Sequence, residues 1–131
     1  MEIIKLFFDE SVKLISLSKH ADNRGFFYES YNKNKLLNLG INDNFVQDNI
    51  SFSKTKGIVR GLHVQEPLFS QSKLISVLCG EILDVFVDLR LKSPTYGKYE
   101  QVILNDQNSY RLYIPHGFAH GFSVIKNDTL V

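Results

Sequence analysis

Tryptophan is absent from this 131-residue chain, and cysteine occurs once. Cys79 alone cannot close an internal disulfide, so burial must hold the fold together. Its setting, "VLCGEI", is apolar, which predicts an inert, buried thiol and a reducing, cytoplasmic location. No run approaches the roughly 18 consecutive apolar residues of a transmembrane helix. The apolar patch at residues 3–8 is broken by Lys5 and followed by Asp9 and Glu10, which does not suit a signal peptide. A dominant charge is missing too: 15 Lys and Arg face 14 Asp and Glu, for a net charge of +1. Without a basic run, a broad nucleic-acid surface is excluded, though a local basic pocket is not.

What remains is the composition of one packed domain over residues 1–131, with 44% hydrophobic and 22% charged residues. Short runs rich in Val, Ile, Phe and Tyr predict strands at 26–31, 44–53, 57–64, 73–78, 81–89, 99–104, 110–114 and 121–125. Turn signals separate them, among them "SKTKG", "KSPTYG", "NDQNS" and "PHG". One short helix is expected near 33–39, in "KNKLLNLG", with Gly40 ending it. Many short strands at regular spacing indicate an all-β sandwich, jelly roll or barrel.

Alternation sorts the side chains by face. In "EILDVFVDL", Leu83, Val85 and Val87 share one face, and Asp84, Phe86 and Asp88 the other. In "FVQDNISF", Gln47 and Asn49 share a face. Such polar faces either meet solvent or line a polar cavity inside a barrel.

Two stretches concentrate chemistry. "IPHGFAHGF" carries His116 and His120 four residues apart, but Pro115 and Gly117 argue against a zinc-binding helix. It reads as a turn feeding a strand. "VRGLHVQ" places Arg60 and His63 in an apolar strand. Strict alternation sends them to opposite faces, whereas a bulge at Gly61 brings both inward. "RGFFYES" sets Arg24, Phe27 and Glu29 together, where an arginine can grip phosphate and a phenyl ring can stack on a base. Lys73 begins a strand after a polar loop, either solvated or drawn into a cavity where it stabilises an oxyanion.

In order, "RGFFYESY", "FVQDNISFSKTKGIVRGLHVQ", "KLISVLCGEILDVFVDLR", "SPTYGKY" and "YIPHGFAHGF" resemble the dTDP-4-dehydrorhamnose 3,5-epimerases of the cupin superfamily. The resemblance runs from about Leu14 to Val131. It implies a cupin-type jelly-roll barrel and a homodimer that exchanges strands. It also implies a dTDP-linked 4-keto-6-deoxy sugar as substrate, inverted at C3 and C5 on the way to dTDP-rhamnose for surface polysaccharide such as lipopolysaccharide. That chemistry is proton abstraction alpha to the C4 ketone and reprotonation from the opposite face.

Position by position, the resemblance makes His63 the general base and Lys73 the cation near the sugar's O4. His120 becomes a contact to the sugar. Arg24, Glu29 and Arg60 become holders of diphosphate and sugar. Gln47, Asn49 and Phe27 surround the nucleotide end. His116 takes no role. Many cupins bind metal through H-x-H, but this strand reads "HVQ", with Gln65 at the second position. No metal and no cofactor are therefore expected. The same difference ranks the sugar 3,4-ketoisomerases, which read H-A-H, lower. The family's tyrosine acid and the aspartate that pairs with its base fall beyond Val131, so the C-terminal part of the family fold is expected to be absent and the chain a fragment. Alternatives are a relative that inverts C3 or C5 alone, and an inactive cupin that only binds dTDP-sugar.

Overall fold

The computed structural model describes residues 1–66 and 70–131. Two four-stranded antiparallel sheets form the body. The first runs β1 (Glu2–Phe7), β2 (Val12–Ser16), β10 (Tyr110–Ile114), β7 (Lys73–Ser76). The second runs β6 (Val59–His63), β11 (Phe118–Val124), β8 (Glu81–Asp88), β9 (Tyr99–Asn105). Two small ladders flank them: β3 (Lys19–Asp22) with β4 (Gly25–Tyr28), and β5 (Phe52–Ser53) with β12 (Thr129–Leu130). The chain crosses between the two sheets from β7 to β8 and again from β10 to β11, which is the jelly-roll pattern expected.

The core forms where the inner faces of the sheets meet. Phe7, Val12, Leu14, Ile75, Val77, Leu112 and Ile114 come from the first sheet and its margins, and Ile82, Phe86, Leu104, Phe118, Phe122 and Val124 from the second. Phe86 is its centre, with Phe7 edge-on at 5.2 Å. A second cluster covers the outer face of the first sheet: Ile15, Leu17 and Tyr113 pack against Leu36 and Ile41. Leu36 arrives on α1 (Lys33–Asn38), whose start is capped by the Asn32 side chain accepting from Lys35 N–H at 3.1 Å. Gly40, at φ +73°, ends the helix as expected.

Three expectations need correction. Residues 44–51 are not a strand; pairing begins only at Ser51, which exchanges backbone hydrogen bonds with Val131, and continues through Phe52–Ser53, while Val46 and Ile50 have no ladder partner among the described residues and stay exposed. The strand expected at 26–31 stops at Tyr28, since Asn32 turns the chain into the helix. Cys79 is exposed rather than buried: it lies beyond the end of β7, where the chain bridges to Leu130 and turns at Gly80, so the alternation that carries Ile75 and Val77 into the core no longer governs it. Strands β1, β2 and β3 had no counterpart in the sequence reading. Among the described residues, no helix is long and apolar enough to cross a membrane.

Candidate functional site

Alternation along β8 sends Ile82, Asp84, Phe86 and Asp88 between the sheets, all fully buried. Two carboxylates therefore enter an apolar interior, and each must be satisfied there. Asp88 is satisfied locally. Arg90 donates to it through Nε at 2.9 Å and Nη2 at 2.7 Å, and the hydroxyls of Ser93 and Thr95 donate at 2.6 Å each. Burial pushes the Asp88 carboxyl up, but these donors outweigh it and hold it well below the usual carboxylate range. Asp88 is thus a structural lock on the "RLKSPT" loop.

Asp84 is different. Its Oδ2 stands 2.8 Å from His120 Nε2, while its Oδ1 has no hydrogen-bond partner among the described residues. Burial raises its carboxyl above the ordinary range, and the hydrogen bond and charge of His120, then the charge of Lys73, pull it partly back. Lys73 feels the reciprocal effect: half-burial lowers its ammonium, and Asp84 partly restores it. Lys73, Asp84 and His120 form one electrostatic group inside the jelly roll. Asp84 is the residue that the sequence reading missed as a site member, and the signal was the carboxylate-bearing face of "EILDVFVDL".

His63 reaches the same region through a bulge. On the β6–β11 ladder, His63 pairs with His120 and Arg60 with Phe122, so one extra residue of β6 is absorbed between them. His120 and Phe122 share the inward face of β11, and the bulge gives His63 and Arg60 that same face. The strands come close enough there to require glycine on both sides: a Cβ on Gly121 would meet Arg60 O at 2.7 Å, and one on Gly61 would meet Gly121 Cα at 2.7 Å. β6 is an edge strand, so both side chains remain exposed. Arg60 is steadied by Ser53 Oγ and Phe52 O, both at 3.2 Å.

The remaining expected residues make their contacts elsewhere. Arg24, in the β3–β4 turn, pairs with Asp22 at 2.7 Å with its side chain 85% exposed. Phe27 is exposed on β4, and Glu29 pairs with Lys35 at 2.9 Å. Phe27 and Glu29, with His20 and Lys35, line a cavity of about 210 Å³. Gln47 donates to Asn49 at 2.9 Å on the exposed stretch before β5. Among the described residues, no hydrogen bond or ion pair joins Arg24, Phe27, Glu29, Gln47 or Asn49 to Lys73, Asp84 or His120. Nor, among them, do three or more of His, Cys, Asp and Glu gather as a metal site would require.

The inner group can do acid–base chemistry on a carbonyl compound. An imidazole at the rim can take a proton, and a half-buried ammonium can stabilise the oxyanion that results. Comparison with known proteins bears on this. A sequence model of the dTDP-4-dehydrorhamnose 3,5-epimerases matches residues 10–131. The chain is 48% identical to the dTDP-4-dehydrorhamnose 3,5-epimerase of Shigella flexneri over 82% of its own length and 60% of that protein's. It spans less than two thirds of the length of such curated relatives. Its fold superposes with a TM-score of 0.95 and 45% identity on the Bacillus anthracis dTDP-4-dehydrorhamnose 3,5-epimerase with TDP and PPi bound, covering 98% of this chain and 73% of that one. The TM-score is 0.92, at 47% identity, with the Legionella pneumophila dTDP-6-deoxy-D-glucose-3,5-epimerase in complex with dTDP-4-keto-L-rhamnose, over 98% of this chain and 68% of that one.

Proposed function

The chain belongs to the dTDP-4-dehydrorhamnose 3,5-epimerase family, and from that premise we propose that it serves inversion of C3 and C5 in dTDP-4-dehydro-6-deoxy-glucose. The observation that carries this reading is the bulge that turns His63 to the inward face beside His120, with Lys73 and Asp84 in the same interior. His63 takes the proton from the carbon next to the ketone. The C–H electron pair becomes the enolate double bond, and the charge passes to O4, where the Lys73 ammonium stabilises it. His120 holds the sugar, with Asp84 fixing its ring. Return of a proton to the opposite face completes each inversion with no net change in atoms.

Arg24, Glu29 and Arg60 hold the diphosphate and sugar, and Gln47, Asn49 and Phe27 surround the nucleotide end. That no hydrogen bond or ion pair joins Arg24, Phe27 or Glu29 to Lys73, Asp84 or His120 among the described residues supports a homodimer in which the β3–β4 hairpin of one copy completes the site of the other. The exposed apolar row Val46, Ile50, Phe52, Val59 and Leu62 supplies a face for that contact. The proposed setting is the cytoplasm, with the product feeding surface-polysaccharide synthesis.

Solvent exchange tests the reading. Incubation with dTDP-4-dehydro-6-deoxy-glucose in heavy water is expected to place two deuterons in the sugar, read by mass spectrometry, and none with His63→Ala. One deuteron identifies an enzyme of a single centre. Binding of dTDP without any exchange by a folded parent identifies a nucleotide-sugar binder and refutes catalysis by this chain.

A further inference from the structure

Lys73 is the first residue of β7, where the ladder has only just begun. Ile75 and Val77 of the same run enter the core between the sheets, so Lys73 points inward with them. Ser72 points the opposite way, and there it meets a polar clasp in a mostly apolar setting. Its Oγ donates to Asp43 Oδ1 at 2.6 Å, and the Tyr113 hydroxyl donates to Asp43 Oδ2 at 2.5 Å. The backbone N–H of His116 in turn donates to Ser72 Oγ at 3.2 Å. One carboxylate therefore ties together the chain that follows α1, the start of β7, and β10 with the turn that leads to His120. Tyr113 is buried in the outer cluster, and burial together with Asp43 pushes its phenol above the ordinary range. Its hydroxyl thus stays a donor throughout the pH range in which enzymes work.

We propose that Asp43 is a positioning residue for Lys73: through Ser72 it fixes the start of β7 from the outer side of the sheet, and so holds the Lys73 ammonium inward, toward Asp84. A lysine stem has four rotatable bonds, and nothing in its own chemistry directs it inward. A strand start that frays by one residue would let the ammonium swing to water. Asp43 and Ser72 prevent this by anchoring the residue immediately before Lys73, on the face where apolar packing alone is not directional. The inference rests on the reading of Lys73 as the cation beside the enolate.

The test reads Lys73 itself. Lysines are reductively methylated with carbon-13, and the Lys73 signal is assigned by its loss in Lys73→Arg. The groups that face this ammonium are Asp84 on β8 and, behind it, His120 on β11. In the parent, Lys73 is expected to titrate below the surface lysines. Ser72→Ala and Asp43→Ala are each expected to move that titration up toward them, as the ammonium gains water, and Ser72→Thr to restore it. If both alanine variants fail to fold, Asp43→Asn, which keeps the shape and one acceptor, is expected to shift it in the same direction by less. A folded variant with lower melting temperature and an unmoved Lys73 titration overturns the proposal, because a merely structural clasp behaves so. In exchange with the keto-sugar, kcat is expected to fall about tenfold with KM within about twofold, as for a misplaced catalytic group. A parent that exchanges nothing refutes the epimerase reading and leaves the Lys73 titration to decide the clasp.

Discussion

His63 and His120 are paired across the β6–β11 ladder, yet only His120 has a carboxylate partner among the described residues, with Nε2 2.8 Å from Asp84 Oδ2. The two imidazoles are therefore fit for different work: one is held rigid in a buried ion-pair geometry, and the other is free at the rim to accept a proton. The buried one is also a stability element. His120→Ala would leave the fully buried Asp84 with no hydrogen bond, at a cost of about 3 kcal/mol near neutral pH.

The pH dependence of that cost follows from Asp84. Its folded value already lies above the ordinary one, and loss of His120 raises it further. A raised carboxyl favours the folded state at low pH and loses that advantage as pH rises through the folded value. The deficit of His120→Ala relative to the parent should therefore grow from pH 5 to pH 8 in urea unfolding. A deficit that shrinks over the same interval would contradict the pairing.

Asp88 has the opposite sign. Its folded value is depressed, so its stabilisation is complete above the unfolded carboxylate value, about 3.9, and fades as pH falls below it toward the folded value. Asp88→Ala removes the acceptor for Arg90, Ser93 and Thr95 together and should cost about 3 kcal/mol at pH 7. Denaturation at pH 7, 4 and 2 should show that deficit nearly intact at pH 4 and reduced at pH 2. Since Asp88 has no place in the proposed chemistry, its activity loss should follow the unfolded fraction alone.

These two aspartates show how far the sequence could be read. Their shared face with Phe86 was visible from alternation alone. That the face turns inward was not, because Leu83, Val85 and Val87 make the other face the more apolar one. Tertiary context decided it: β8 is central, and Arg90, Ser93, Thr95 and His120 supply the donors that let carboxylates go inside. The bulge at Gly61 was likewise legible as one of two options, and only the register against His120 and Phe122 selects it. The stretch 44–50 misled because alternation of Phe45, Gln47 and Asn49 with Val46, Asp48 and Ile50 fits a strand, yet no ladder partner for it exists among the described residues.

Arg24 offers a test of the nucleotide end that stability cannot confuse. Its side chain is 85% exposed and, among the described residues, pairs with exposed Asp22 alone, a surface pair worth little to folding. Arg24→Ala should leave the melting temperature within about a degree, while weakening dTDP binding about tenfold, as loss of a charge-assisted phosphate contact does. Calorimetry with dTDP checks this, and unchanged affinity would remove Arg24 from the site.

Gly121 tests whether the bulge itself carries the chemistry. A methyl group there would press on Arg60 O at 2.7 Å, Gly61 Cα at 3.1 Å and Leu62 Cα at 3.3 Å, all backbone atoms. β6 must then move off β11, taking His63 with it. Gly121→Ala should destabilise by about 2 kcal/mol and lower the exchange rate by up to about 10²-fold, because the base is displaced on the scale of an ångström. Gly97→Ala is the control. It is strained by φ +77° but meets nothing within 4 Å, so it should lose about 1 kcal/mol and keep its exchange rate. If the two variants lose activity equally once unfolded protein is discounted, the placement of His63 by this close approach is not what sets the rate.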